Sequence, residues 1–464
     1  MNPSPVWRRP GRLAAFCGTL ALATALPAPA VRAEAPALTL DQAVARALQN
    51  SGDLAVATAR LEEARAARAK VTTAYLPNIQ AVGSYTHNSV EAKMDLGKMI
   101  GGIGQLVGVT IPPDKLPAPS IIQKQDTLAG VLSLDQTLFA LSPLLLAGAA
   151  DKAVAAQQAG LEATRRELVY QVTQIFYNHA GVLRLIESAQ RAIDLADQRV
   201  ANAQARRAGG SEAEVAVLRA ESERDRARGD LLRAQAARRQ LLVMLGALLG
   251  DTAPAALEVP PTLGLPGGSP DDHRASARRD RPDLEARRLS LQAADAQVRE
   301  AQLRWLPLLN LQANGRYTDT PGFVGKNWLW AATVNLVVPL FDRGVRYADA
   351  RERTASRVRL QREYDKAERD LNAALDQAQA DLEAAQQSLA LAEQQVVRAK
   401  RTAAIVASAL ANGAATSLEQ AEADTNLRLT EANAVRERLT LDLGILKVRH
   451  LTGAVRAPQA DAKL

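Results

Sequence analysis

Two segments with alternating polar and apolar residues stand out in the second half of the chain. From Leu309 to Tyr317 the odd positions are small or apolar, whereas Asn310 to Thr318 supplies polar residues at the even positions. The second alternation places Trp330 and the even positions up to Val338 on one face. A period of two predicts β-strands with one buried face. Because long helical patterns flank both segments, this strand pair has to bury its apolar face outside an ordinary domain core.

The same order of features occurs earlier in the chain. Residues 75–86, YLPNIQAVGSYT, echo residues 305–318, WLPLLNLQANGRYT, and residues 131–139, VLSLDQTLF, echo TVNLVVPLF at 333–341. The chain is therefore predicted to be an internal duplication, in which each half runs helix, strand, loop, strand, long helix, tip and long helix. The predicted strands cover about 78–88, 127–138, 308–318 and 329–340.

Glycine and proline mark where the predicted helices end. A first helix is expected from Leu40 to Thr73, and the proline- and glycine-rich residues 88–125 are predicted to be an irregular loop. Glycines place helical hairpin tips near 209–211 and 411–416. At the first tip, Ser211 and Glu214 have the spacing of a capping box.

The predicted division follows from these breaks. The uninterrupted stretch between Gly344 and Gly413 predicts a helix on the order of 100 Å long, which exceeds the core of any single domain. The predicted segments are a signal peptide (1–33), a first repeat (38–250), a linker (251–282), a second repeat (283–453) and a loose C-terminal tail (454–464).

The N-terminal segment has the composition of a secretory signal peptide. Arginines precede an apolar run from Leu13 to Leu26, and cleavage is expected after Ala33. Cys17 is the only cysteine, but the bulky Phe16 before it disfavours a lipoprotein signal, and cleavage would leave no thiol for a disulfide. Cleavage also removes four arginines and no acid, so the formal charge falls from +7 to +3. Nucleic acid is therefore not an expected partner.

The four strands allow two interpretations. Each is about ten residues long, which is enough to cross a bilayer when tilted, and no apolar run of about 18 residues follows the signal peptide. Four strands cannot close a membrane barrel, since the smallest have about eight. Either the sheet packs on protein, or several copies complete one barrel together, because an open strand edge is not tolerated in lipid.

Several motifs in a fixed order resemble the TolC-type outer-membrane efflux proteins over about residues 38–453. They are the two Leu-Pro pairs before strands, PLFD-x-G at 339–344, RPDL at 281–284 and TSLE at 416–419. The resemblance implies a mainly α fold with a small transmembrane β part. Long antiparallel hairpins of a homotrimer would form a periplasmic α-barrel, and four strands per chain would complete a 12-stranded outer-membrane β-barrel. It also implies an exit duct of a tripartite efflux pump or type I secretion system, set in outer-membrane lipid and working with a periplasmic adaptor and an inner-membrane transporter.

Acidic residues just past the second tip are implied to ring the periplasmic entrance in this family. The matching positions are Glu419 and Glu422, whose i, i+3 spacing places them on one helix face. The alternative is that Thr416 and Glu419 form a capping box and Glu422 is a solvated charge. The Tyr and Arg that lock the closed mouth in family members are replaced by Leu410 and Ala415.

The polar positions of the strands are candidates for the barrel lumen. These candidates are Gln80, Ser84, Thr86, Ser133, Asp135, Asn310, Gln312, Asn314, Arg316, Thr333 and Asn335. The opposite face, with Tyr85, Tyr317, Trp328 and Trp330 near the strand ends, is expected to meet lipid.

Two other functions fit the sequence less well. An enzyme is disfavoured, because the four histidines are scattered and no metal-ligand spacing, phosphate loop or nucleophile motif is present, so no cofactor or metal is expected. A soluble periplasmic coiled-coil adaptor would share the helical composition. It would have a single hairpin flanked by lipoyl-like β modules, rather than two hairpins and four amphipathic strands.

Overall fold

The computed structural model describes residues 37–320 and 325–455. The predicted signal peptide with Cys17, the loop at 321–322 and most of the predicted tail lie outside the described residues. The helices are α1 Leu40–Asn50, α2 Gly52–Thr72, α3 Leu96–Leu106, α4 Leu141–Ala208, α5 Glu214–Leu249, α6 Pro270–Asp280, α7 Pro282–Leu303, α8 Val345–Ala411 and α9 Ser417–Leu451. The strands are β1 Asn78–His87, β2 Ala92–Met94, β3 Ser120–Gln123, β4 Asp126–Phe139, β5 Leu308–Thr318 and β6 Trp328–Val337.

The four long strands form one antiparallel sheet in the order β1-β4-β5-β6. The hairpin of the first repeat, β1 with β4, joins the hairpin of the second repeat through β4 and β5. Within the described residues, β1 and β6 each have one unpaired edge. The last strand ends at Val337 rather than near 340, because Pro339 has no N–H to donate to a ladder.

Two long helical hairpins extend from the strands. In the first, α4 of 68 residues turns back into α5, and in the second α8 of 67 residues turns back into α9. The internal duplication is confirmed by this repeated order of elements. Among the described residues, no helix combines the length and apolarity that a membrane span requires.

The apolar cores lie near the middle of α4 and α8, where the C-terminal ends of α5 and α9 pack against them. The first buries Phe176 of α4 and Leu245 of α5, both 0% exposed, together with residues of α1. Leu38 adds a short parallel bridge to Leu257 beside this core. In the second repeat, Leu382 and its neighbours on α8 pack against Ile445 and Val448 of α9. The two repeats therefore bury equivalent levels of their hairpins, which defines a packed belt.

The junction between strands and helices is held by buried ion pairs. Glu300 of α7 is 1% exposed and accepts hydrogen bonds from Arg304 (2.7 and 3.0 Å) and from the hydroxyl of Ser142 on α4. In the first turn of α8, the Arg346 guanidinium lies 3.9 Å from the centroid of the Trp305 ring and donates a hydrogen bond to the Asp342 carboxylate at 2.8 Å. Charged and hydroxyl donors offset the cost of burying a carboxylate, so these contacts stabilise the junction.

The structure differs from the sequence-based description in three places. The first helix is interrupted, because Ser51 leaves the helical conformation and its hydroxyl caps α2. Residues 88–125 contain the β2–β3 pair and α3 rather than irregular loop alone. The linker 251–282 contains α6, which begins with a capping box between Ser269 and Asp272. Each missed helix is only 11 residues long, so its periodicity is weak beside its glycines and prolines.

Candidate functional site at the strand face and the helix tips

The register of the sheet places the polar candidates on one face. Gln312 lies opposite Asp135 on one side and Thr333 on the other, and Asn310 lies opposite Asn335. Residues directly opposite each other point to the same side of a sheet. Asn314 and Arg316 share this face by alternation, and Asn335 Nδ2 donates to Gln312 Oε1 at 3.1 Å. The result is a continuous polar surface across β4, β5 and β6, with Gln80 opposite Ser133 extending it onto β1.

The other face of the same sheet is apolar and exposed in a single chain. Tyr85 is 68% exposed and Trp330 is 75% exposed, and both lie on this face with Tyr317 and Trp328. Gly315 makes room for one of these rings, because a Cβ at this position would lie 2.6 Å from Trp328 Cζ2. Large exposed apolar surfaces mark contact with protein or lipid.

At the second tip, Glu419 is held as a helix cap. Its Oε2 accepts hydrogen bonds from the Thr416 backbone N–H (2.7 Å) and hydroxyl (3.0 Å), and the Glu419 N–H donates to the Thr416 hydroxyl. The backbone N–H and hydroxyl of Thr416 lower the pKa of Glu419. The alternative capping interpretation is thus present in the structure, and the carboxylate stays exposed and ionised at the tip.

Glu422 lies one turn further along α9 and is exposed. It lines an open groove between α5 and α9 together with the apolar side chains of Leu218, Leu418 and Leu429. The structure therefore presents two acidic side chains in the first two turns of α9.

The first tip differs from the predicted one. The N-cap of α5 is Ala213 and has no side-chain cap, so the predicted capping box between Ser211 and Glu214 is wrong. The Ser211 hydroxyl donates instead to the Arg206 carbonyl at 3.1 Å and closes the end of α4. Glu214 lies 3.4 Å from the guanidinium of Arg207. α4 ends at Ala208, Gly210 has a positive φ of 76°, and α5 begins at Glu214, two residues later than a cap at Ser211 would place it.

Ion pairs join the two hairpins of one chain just above the tips. Arg199 of α4 donates to Asp424 of α9 at 2.8 Å, and Arg428 of α9 pairs with Asp230 of α5. Gln420, which is 3% exposed, donates to the same Asp424 at 2.9 Å. Sequence analysis missed these residues because their partners lie about 200 positions away and no local motif identifies them.

These pairs border a cavity of about 340 Å³ between the hairpins. Leu410 and Ala216 contribute to its wall, and further arginines, including Arg206 and Arg219, line it. Leu410, where the resemblance implies a Tyr, thus forms part of an apolar wall, while the charged contacts between hairpins lie about two to four turns further from the tip.

The histidines are dispersed through the fold. His179 is 1% exposed, and burial lowers its pKa to about 4. His450 stacks on Tyr170 with ring centroids 4.1 Å apart and lies 3.3 Å from Glu167. No group of metal-ligating side chains is found in the described part of the chain.

Comparisons with known proteins agree with this architecture. The family model described as outer membrane efflux protein matches residues 43–251 and 274–454. No curated protein sequence matches the chain significantly.

Three solved structures are similar to this chain. CusC, studied for conformational changes that accompany folding and transmembrane channel formation, has a TM-score of 0.74 and 18% identity over 89% of this chain and 92% of that chain. The outer-membrane channel OprN gives a TM-score of 0.74 and 20% identity over 89% of both chains. The outer membrane protein VceC from Vibrio cholerae gives 0.73 and 21% identity over 89% of this chain and 96% of that chain.

Proposed function

Because the chain belongs to the outer membrane efflux protein family, we propose that three copies form a passive exit duct of a tripartite efflux pump or type I secretion system. Members of this family are outer-membrane channels with a periplasmic helical part, and they work as homotrimers with an adaptor and an inner-membrane pump. That this chain itself works with such partner proteins and exports a cargo is part of the proposal. The adaptor alternative is not favoured, because the family match spans both repeats.

The observation that carries the proposal is the two-faced sheet with open edges. One face is polar from Asp135 to Asn335, the other carries exposed aromatic rings, and β1 and β6 are unpaired. Such a sheet is stable in lipid only when other copies satisfy both edges. Closure puts the polar face, with Arg316 and Asn314, inside the barrel as the wall of an aqueous lumen.

The acidic tip is proposed as the periplasmic entrance. Glu419 and Glu422 are both exposed near the start of α9, and three copies would bring six carboxylates around one opening. A ring of carboxylates favours cations over anions. The role of Glu419 as a cap is compatible with this, since capping keeps the carboxylate ionised at the tip.

The ion pairs between hairpins are proposed to hold the entrance closed. Arg199 with Asp424, and Arg428 with Asp230, link the two hairpins where Leu410 and Ala415 offer no polar lock. Charged contacts can exchange partners at little cost in apolar burial, so opening would break these pairs and leave the belt intact.

The assembly is tested by outer-membrane fractionation followed by light scattering in detergent, corrected for bound detergent. A trimer that only detergent extracts is expected. A monomer in the soluble periplasmic fraction would overturn the duct and favour a coiled-coil scaffold.

The entrance is tested by ion selectivity in planar bilayers. We expect Glu422→Gln and Glu419→Gln to lower the preference for K⁺ over Cl⁻, measured as the reversal potential in a KCl gradient. Glu393→Gln is the matched control, since Glu393 is an exposed carboxylate of α8 roughly 27 Å along the helix from its end. Equal reversal potentials for all three variants and the parent would exclude the acidic entrance.

A further inference from the structure

The connection between β1 and β4 carries an apolar surface that the single chain leaves uncovered. Met99, Ile103 and Leu106 of α3 are 55%, 56% and 87% exposed. Their spacing of four and three residues places them on one side of the helix, and we call them the α3 stripe. This connection lies at the end of the sheet away from the long helices, since α2 leads into β1 and β4 leads into α4.

The orientation of α3 is fixed by glycines on its opposite side. A Cβ at Gly97 would lie 2.6 Å from the Pro117 carbonyl oxygen, and one at Gly104 would lie 2.7 Å from that of Val109. Gly101 faces Leu116 on the same side. Because only glycine permits this approach to the backbone, α3 packs its glycine side on its own loop and turns the α3 stripe outward. The Asp95 side chain caps the helix at 2.9 Å from the Lys98 nitrogen.

The composition of the connection argues against lipid as the occupant. Residues 88–125 contain four lysines, three acidic residues and no aromatic residue. Helices that lie in a lipid interface carry a strongly basic polar face and aromatic side chains beside the apolar one. The nearly balanced charge also gives little attraction for polyanionic headgroups.

The position of the connection argues for further copies of the same chain. It rises from β1, the strand whose open edge meets the next copy when the barrel closes. Twelve strands spaced about 4.8 Å apart and tilted roughly 40° enclose a radius of about 12 Å. The 11 residues of α3 span about 16 Å, so a helix starting at the rim reaches the threefold axis.

We propose that the α3 stripes of three copies meet over the outer opening of the duct and form an apolar cover. This inference rests on the proposed trimeric duct. Three stripes buried against each other remove apolar surface from water at the one place where each copy presents it to the others. The cover has no charged side chain in its contact, so it restricts the passage of ions by excluding water.

Cross-linking tests the contact directly. Ile103→Cys in a Cys17→Ser background is expected to form disulfide-linked dimers in the purified trimer when oxidised with copper phenanthroline, because a disulfide requires Cα atoms within about 7 Å. Val90→Cys is the matched control, since Val90 is 71% exposed in the same connection but lies outside the stripe. Absence of dimers for both variants, with quenching of a fluorophore on Cys at position 103 by brominated lipid, would overturn the cover in favour of a lipid contact.

Single-channel conductance tests whether the apolar cover restricts the passage of ions. In an Asp424→Asn background, which weakens the proposed closure of the entrance so that it does not limit the current, the double variant Ile103→Asn and Leu106→Asn is expected to raise single-channel conductance over that background by at least about twofold, since a hydrophobic constriction becomes wet when polar groups line it. Val90→Asn should leave the conductance unchanged. A trimer with parental conductance in both variants would overturn the cover alone, whereas a monomer without conductance would overturn the duct itself.

Discussion

The belt and the tips of the same helices are held together by different forces. In the belt, Phe176, Leu245 and Ile445 are at most 1% exposed and interlock with neighbours from other helices. Near the tips, the contacts between hairpins include the pairs Arg199 with Asp424 and Arg428 with Asp230, beside a cavity of about 340 Å³. Close packing tolerates little movement, whereas ion pairs can separate and re-form. One chain thus combines a close-packed middle with an end that charged contacts hold together.

Truncation in the belt gives the largest expected loss of stability. Phe176→Ala should lower the free energy of unfolding by about 3–5 kcal/mol, because it leaves a cavity among α1, α4 and α5. Urea unfolding of the detergent-solubilised protein, followed by circular dichroism, measures the change. Val259→Ala is the control, since Val259 is 53% exposed and should change stability by less than about 0.5 kcal/mol. Equal losses for the two variants would contradict a belt stabilised by burial.

Acid should weaken the belt through His179. Both of its ring nitrogens lack a partner among the described residues, and burial together with the charge of Arg238 lowers its pKa to about 4. A pKa below the ordinary 6.5 means that the neutral form is favoured in the folded state. The stability it contributes is therefore complete above pH 6.5 and is lost as the pH falls towards 4, by about 3 kcal/mol.

The measurement is the urea midpoint of the parent and of His179→Leu between pH 7.5 and pH 4. The difference between the two should shrink or reverse as the pH falls, since only the parent has to protonate a buried ring. Asp442 acts in the opposite direction, because burial raises its pKa, and comparing two proteins that both contain it cancels its effect. A constant difference across the range would contradict the assignment.

Loosening the contacts near the tips should have a smaller and more local effect. Asp424→Asn removes the charge that Arg199 and Gln420 contact, at a cost of about 1–2 kcal/mol. Amide exchange should accelerate by roughly tenfold in the last turns of α4 and the first turns of α9, and stay unchanged in the belt. Asp381→Asn is the control, because the 57% exposed Asp381 side chain lies 3.7 Å from Lys447 in a solvated pair. Faster exchange throughout the chain would show that the tips and the belt unfold together.

The sequence predicts secondary structure that is periodic and caps that are local, and it misses contacts between segments that are distant along the chain. The β5 strand was predicted within its observed bounds because its alternation continues without a break from Leu309 to Thr318. The Thr416 cap follows from four consecutive residues. By contrast, Arg199 contacts Asp424 only after the two hairpins have packed side by side. The helix α3 was missed because its glycines are typical of a loop. The acidic pair Glu419 and Glu422 came from family resemblance, and its role remains a prediction.

The two hairpin tips differ in how the helix that follows each of them is capped. Thr416→Ala should destabilise the start of α9 by about 1 kcal/mol, because its hydroxyl accepts a hydrogen bond from the Glu419 N–H. Ser211→Ala should cost less at the start of α5, since Ser211 contacts the end of α4 instead. Amide exchange of residues 417–420 and 214–217 in the two variants measures both changes. Equal acceleration would mean that the first tip uses its serine as a cap in solution. Faster exchange confined to the Thr416 variant would establish that a side-chain cap stabilises the start of α9, which carries the proposed entrance carboxylates, and not the start of α5.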